Sequence, residues 1–319
     1  MEWKKTALIF PGQGSQVVGM GKALAEAYPE ASAVFAAADA ALGYEISVLC
    51  FEGPEDKLTD TYYTQPALYT MGIAGLRALN ALLGEEAKPA FMAGHSLGEL
   101  TALAAAGAIP FEEGLMLVQE RGRVMRDAGE QNPGAMAAIL GLDMDVIAEI
   151  CEAASAETGA VVVAANDNNP GQVVISGEEA ALERAVELAK ERGARRAIKL
   201  AVSIASHSPL MEEAAKQFRE AVDDAPISAP EVPVIGNVSA APLDSADAIR
   251  EDLSAQLVSR VRWTESVEAM IASGVETFVE IGPKATLTGM IRRIDRSAER
   301  VNISDPKSLM AFVKALKAD

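Results

Sequence analysis

Histidine, cysteine, positive charge and long apolar runs are all scarce in this 319-residue sequence, and each shortage excludes something. The two cysteines, Cys50 and Cys151, stand in apolar surroundings with no metal-ligand spacing. A disulfide framework and a metal site are therefore not expected, and a reducing, cytoplasmic compartment is. Lys and Arg number 28 against 46 Asp and Glu, a formal net charge of −18. No face of such a chain easily becomes basic enough to neutralise many phosphates, so no nucleic-acid partner is expected. The apolar run Thr6–Phe10 is too short for a signal-peptide core, and the other apolar stretches carry charges or helix breakers, so no membrane span is expected either. Only His95 and His207 are available for proton transfer by imidazole.

Hydrophobic residues make up 50% of the chain, enough for a large core in one domain with an insertion or in two unequal domains. Within it, Gly94-His-Ser-Leu-Gly98 reads as Gly-x-Ser-x-Gly between a short apolar strand, Pro89 to Ala93, and a helix opening at Leu97. That is the pattern of a nucleophile elbow: two residues without Cβ atoms allow a turn sharp enough to present Ser96 above the strand end, with helix amides beside it. A glycine-rich turn with an incidental serine is the plainer alternative.

Thr6–Phe10 is a second apolar strand, entering the loop Pro11-Gly-Gln-Gly-Ser-Gln16. A dinucleotide-binding reading fails because Val17 stands where the third glycine would be; the loop serves better as a backbone N–H donor beside the elbow. A long helix spans Gln65 to Leu83, and Pro110 opens another. On its face, Gly114, Leu117, Val118, Met125 and Ala128 are joined by one charge, Arg121. An inward guanidinium needs an anion, which is either a structural carboxylate or the carboxylate of a substrate.

From Ala135 to Val202 the pattern is β-α-β-β-α-β, the split βαβ of a ferredoxin-like unit, with Asn166-Asp-Asn-Asn-Pro-Gly171 as a turn between the middle strands. Beyond it, His207 either caps the helix from Pro209 or acts as base for Ser96. His95, adjacent to Ser96 on a tight turn, points elsewhere, which leaves His207 for the proton. An apolar strand from Val232 to Val238 follows, then alternating strands and helices, with a last pair of helices after Gly282-Pro283.

Phe10-Pro-Gly-Gln-Gly-Ser-Gln16, Gly94-His-Ser-Leu-Gly-Glu99, Glu120-Arg121-Gly122, Ala164-Ala-Asn166 with Pro170-Gly-Gln-Val-Val-Ile-Ser-Gly177, Ser206-His207 and Glu280-Ile-Gly-Pro283 occur in that order. Together they resemble the malonyl-CoA:acyl carrier protein transacylase family from near residue 6 to about residue 294. The resemblance implies an α/β fold, with an α/β-hydrolase-like parallel-sheet core (residues 1–130 and 204–319) and an inserted ferredoxin-like subdomain (131–203). It implies Ser96 as acylated nucleophile, His207 as general base, the amides of Gln13 and Leu97 as oxyanion hole, Arg121 as holder of the malonyl carboxylate, and the carbonyl of Gln256 as orienter of the histidine. Asp167 is the acid to consider if a triad existed. No cofactor or metal is implied; malonyl-CoA and acyl carrier protein are the implied partners, and a monomer the implied state. Lys284 departs from the family's Gly-Pro-Gly, and Ala205-Ser206-His207 is shared with acyltransferases that take methylmalonyl units, whereas Leu97 leans toward malonyl. A free-standing acyltransferase of a polyketide synthase (PKS) and a serine esterase or thioesterase are the alternatives. Two basic clusters, Lys190/Arg192/Arg195/Arg196/Lys199 and Arg292/Arg293/Arg296, are candidates for docking an acidic carrier protein.

Overall fold

The computed structural model describes residues 2–318. Its strands are β1 (Thr6–Phe10), β2 (Phe91–Gly94), β3 (Ala135–Leu140), β4 (Val162–Asn169), β5 (Gln172–Gly177), β6 (Arg196–Lys199), β7 (Val234–Ile235), β8 (Pro242–Leu243), β9 (Thr277–Ile281) and β10 (Glu299–Ile303). One sheet has the order β10-β9-β1-β2-β7-β8, parallel except where β8 turns back on β7. β1 lies inside it with every residue buried, as an unbroken apolar run requires when helices cover both faces of a parallel sheet. Leu8 and Phe10 join a core with the helices Thr61–Leu83, Leu97–Ala105 and Pro306–Ala318. Ala7 and Ile9 face the other way, onto the fully buried Trp263 and the helices Trp263–Ala272 and Thr286–Ile294.

After the helix Phe111–Gln131 the chain leaves this sheet and builds a second, antiparallel one in the order β4-β5-β3-β6, with the helices Met144–Thr158 and Glu179–Glu191 between its strands. That is the ferredoxin-like order, and Ile139, Ile147, Ile150, Val173, Ile175 and Leu182 form a core of its own. The fold is thus mixed α/β with one mainly parallel and one antiparallel sheet.

Three local expectations differ from the structure. The segment Asn166–Asn169 is not a turn: it continues β4, and only Pro170-Gly171 reverses the chain. Two irregularities in the β4–β5 pairing let these polar residues bond outward rather than across the ladder. The Asp167 amide donates to Val261 and the Val261 amide to Ala165, tying β4 to the segment between the helices Ala246–Gln256 and Trp263–Ala272. Second, β10 separates the last two helices. Its polar sequence Glu-Arg-Val-Asn-Ile sits half-buried at the sheet edge, where the apolar pattern of a central strand is not needed. Third, the strand expected from Val232 to Val238 is only Val234–Ile235, because Gly236 and Asn237 break away from the sheet.

At the C-terminal end of β9, the buried Glu280 carboxylate accepts the amides of Thr286, Leu287 and Thr288 at 3.0, 3.1 and 2.8 Å. A fixed anion at this helix start satisfies the orphan donors and complements the helix dipole. The Glu-Ile-Gly-Pro motif is thereby the anchor of the Thr286–Ile294 helix.

Candidate active site

β2 ends in the elbow. Ser96 adopts φ 54°, ψ −111°, and the helix Leu97–Ala105 begins immediately after it. The turn closes because Gly94 and Gly98 touch backbone where a Cβ would sit: Gly94 lies against the carbonyl of Gly98, and Gly98 against the carbonyl of Phe10 at the end of β1. The loop after β1 is therefore pressed onto the elbow, and the His95 amide donates to the Phe10 carbonyl at 3.1 Å. The amides of Gln13 and Leu97 donate to no protein acceptor among the described residues. Gln13 itself is held from behind by its side chain, whose Oε1 accepts from Thr61 Oγ1 at 2.7 Å.

Above the serine, His207 Nε2 lies 2.8 Å from Ser96 Oγ. Its other nitrogen, Nδ1, faces two carbonyls, Gln256 O at 2.9 Å and Ser259 O at 3.2 Å. Two carbonyls can only accept, so Nδ1 carries the proton and Nε2 offers its lone pair to the serine hydroxyl. His207 sits at φ 59° in the tight segment Ala205–Ser208, closed by a 2.7 Å bond from Ser208 Oγ to the Ala205 carbonyl. The helix beyond is capped by Ser208, whose Oγ accepts from the Leu210 amide, and not by His207. Burial, reinforced by the Arg121 cation, lowers the imidazole from 6.5 to about 3, so it is neutral at physiological pH.

Arg121 is 1% exposed on the inner face of Phe111–Gln131. Nη1 donates to Gln65 Oε1 at 2.9 Å and to Met125 Sδ at 3.2 Å; Nη2 donates to Gln256 Oε1 at 2.7 Å and to Ser96 Oγ at 3.0 Å. Every partner is neutral, and Nε has no partner among the described residues. No ion pair to a described carboxylate meets this guanidinium, so it is not the structural pair that was one of its two readings. Burial lowers it to about 10, which still leaves it a cation.

Asp167 lies away from His207: its carboxylate accepts from Thr264 Oγ1 at 2.8 Å. His95 likewise turns from Ser96, with Nε2 placed 2.8 Å from Asn168 Oδ1 and its ring beside Trp263. Lys284 reaches back to the first loop, donating to the Gln16 carbonyl at 3.1 Å.

A family model described as "Acyl transferase domain" matches residues 7–309. The malonyl CoA-acyl carrier protein transacylase of Bacillus subtilis is 45% identical over 99% of this chain and 98% of its own length. The crystal structure of an acyl carrier protein S-malonyltransferase from Vibrio cholerae superposes with a TM-score of 0.92 at 45% identity, covering 97% of this chain and 99% of that one. The chain belongs to the malonyl CoA-acyl carrier protein transacylase family of acyl transferases. A further member of known structure, described as a type II PKS acyl-carrier protein in complex with its malonyl-transacylase, matches with a TM-score of 0.93 and 42% identity over 98% of this chain and 99% of that chain.

In this acyl transferase the side chain nearest the elbow that sequence reading passed over is Asn237. Its Oδ1 accepts the Ser96 amide at 2.6 Å and its Nδ2 donates to the Gly94 carbonyl at 2.7 Å, clamping both sides of the elbow. The available signal was its place just past the carboxyl end of a parallel strand, where α/β sheets assemble their sites. Gln65 was another miss; it begins the apolar helix read there, and nothing short of packing shows it meeting Arg121.

Proposed function

We propose that this chain transfers a malonyl group from malonyl-CoA to the phosphopantetheine thiol of acyl carrier protein through a malonyl-Ser96 intermediate, supplying fatty acid synthesis. The observation that carries this reading is a buried Arg121 with only neutral partners, 3.0 Å from the serine hydroxyl. A desolvated guanidinium with a free Nε edge calls for a carboxylate delivered with the acyl group, and malonyl has one two carbons from its thioester.

Ser96 and His207 work as a dyad, with the Gln256 carbonyl in place of an acid. As Oγ attacks the thioester carbonyl, its proton passes to Nε2, and the Nδ1 proton, shared by two carbonyls, keeps the ring from turning. The amides of Gln13 and Leu97 receive the oxyanion. The C–S bond breaks, CoA sulfur takes the proton from Nε2, and the ester remains. The carrier thiol then gives its proton to His207, attacks the ester and restores Ser96, in a ping-pong cycle. Exchange of acyl groups between sulfur and oxygen changes no oxidation state, so no redox cofactor is called for, and the two amides stabilise the oxyanion without needing a metal. Every residue named belongs to one chain, which is the basis for a monomeric working unit. Two buried free cysteines suit a cytoplasmic setting, and among the described residues no helix is long and apolar enough to cross a membrane.

For the carrier protein, the fold joins parts of the two basic clusters. Arg195 from the antiparallel unit and Arg292, Arg293, Arg296 and Arg300 line one cleft of about 1110 Å³. None of these guanidinium groups pairs with a described carboxylate, whereas Arg192 and Lys199 are spent on Glu149 and Glu179. In a chain of net charge −18 this cleft is the place for an acidic partner.

Intact-mass measurement after brief incubation with malonyl-CoA, beside Ser96→Ala, tests the reading. A malonyl adduct on the parent protein and none on the variant is expected. Steady CoA release with no adduct points instead to a hydrolase.

A further inference from the structure

Glu99 takes no part in the chemistry above, yet it lies in the first turn of the helix behind Ser96 with no exposure at all. Its Oε2 accepts from Gln256 Nε2 at 2.7 Å and from the Asn237 amide at 3.2 Å. Its Oε1 meets no N–H or O–H donor among the described residues. The next two amides of that loop, Val238 and Ser239, donate at 3.3 and 3.2 Å to the carboxyl group of Asp252, which is 5% exposed, so three consecutive residues of backbone set two buried carboxyl groups beside each other. Set side by side out of water, two carboxyl groups do not both ionise. The charged or titratable groups on the elements around the pair include Arg121, from Phe111–Gln131, the neutral His207 beyond Gln256, and Arg262, which donates to the Val238 and Ser239 carbonyls on the far side of the loop and is paired with Glu265. Burial and the neighbouring Asp252 both push Glu99 well above the ordinary carboxylate range.

We propose that Glu99 is a positioning residue that works as a neutral carboxylic acid, its O–H bridging to Asp252 while Oε2 fastens Gln256 and Asn237. Three contacts at the reacting centre depend on those two residues. The Gln256 carbonyl holds Nδ1 of His207, Gln256 Oε1 holds Nη2 of Arg121, and Asn237 Oδ1 holds the Ser96 amide. Neutrality matters as much as geometry, because an ionised Glu99 would compensate the Arg121 cation that a substrate carboxylate must find unpaired. The proposal rests on the acyl-transfer reading for its effect on rate, but not for the proton itself.

The test compares Glu99→Gln with Glu99→Ala. Glutamine keeps an oxygen for Gln256 and Asn237 and turns an N–H donor toward Asp252, reproducing the neutral acid; alanine removes both. The rate of malonyl-Ser96 formation, followed by rapid quench and intact mass, is expected to fall roughly 10- to 100-fold in Glu99→Ala, the scale of a sub-ångström to ångström misplacement. In Glu99→Gln it is expected to return to within about threefold of the parent. The infrared spectrum of the resting protein should hold a protonated-carboxyl band that shifts in heavy water and is missing from Glu99→Gln. Acylation as slow in Glu99→Gln as in Glu99→Ala, an unchanged rate in Glu99→Ala, or absence of the band overturns the proposal. If Glu99→Ala does not fold, the glutamine variant and the band decide alone. A parent protein that never acylates defeats the transacylase reading, whereas the band is read without turnover.

Discussion

Arg121 concentrates the residue-scale physics of this protein. A guanidinium at 1% exposure is costly unless an anion meets it, and its partners here are two glutamine oxygens, a methionine sulfur and a serine hydroxyl. Arg121→Ala is expected to lower kcat/KM for malonyl-CoA by about 10²- to 10³-fold, the range for truncating one side of a buried charge pair. Relative activity on acetyl-CoA should rise, because the unpaired cation that discriminates against it is gone; competition between the two thioesters measures this. The same cation also acts on His207, after burial the largest influence holding the ring at about 3. A protonated ring cannot accept the serine proton, so labelling of Ser96 by an uncharged fluorophosphonate should persist as pH falls through 6.5, for as long as the protein stays folded. In Arg121→Ala the histidine pKa rises, and the acid limb of the labelling profile should move up toward 6.5. An acid limb at the same pH in both proteins would mean that the cation does not reach the imidazole.

At the scale of elements, the elbow is an assembly of two strand ends. Gly98 lies against the Phe10 carbonyl, so its missing Cβ is what lets the helix Leu97–Ala105 start beneath the loop carrying Gln13. Gly98→Ala forces backbone apart, and a loss of about 2–4 kcal/mol of stability together with loss of Ser96 labelling is expected, read from denaturant midpoints and from the same fluorophosphonate reaction. Elements of this kind were legible in the sequence because their determinants are local: apolar runs for β1 and β2, a glycine pair for the turn, helical periodicity for the face bearing Arg121. Asn166–Asn169 and β10 were not. The asparagines have turn propensity, but bonds such as His95 to Asn168 and Thr264 to Asp167 reward an extended conformation there. β10 is an edge strand whose stability comes from pairing with β9, which its own polar residues do not announce.

For the molecule as a whole, net charge and local charge pull in opposite directions. The chain carries −18 overall, yet five arginines from segments about a hundred residues apart share a cleft walled by both the antiparallel unit and the Thr286–Ile294 helix. Pro170 on its wall lies two residues past Asn168, which meets His95 beside the elbow, so the cleft and the serine are joined through one strand end. Replacing Arg195 and Arg292 together by glutamate is expected to raise the KM for carrier protein about tenfold or more, with the effect shrinking at high salt, while acylation by malonyl-CoA is little changed. Steady-state kinetics with varied carrier, at two ionic strengths, checks it; equal effects on both half-reactions would place docking elsewhere.

The sequence by itself determined what depends on neighbours along the chain: the Gly-x-Ser-x-Gly turn at Ser96, the β-α-β-β-α-β order of the second unit, and the single charge on an apolar helix face. Only the tertiary structure decided what meets the serine. His207, Asn237 and Gln256 reach it across 111, 141 and 160 residues, and Arg121 across 25. Periodicity tells which face of an element is buried but not which element it is buried against. The tautomer of His207, the neutral partners of Arg121 and the proton at Glu99 are consequences of burial beside particular groups, and burial is set only when the sheets and helices have packed.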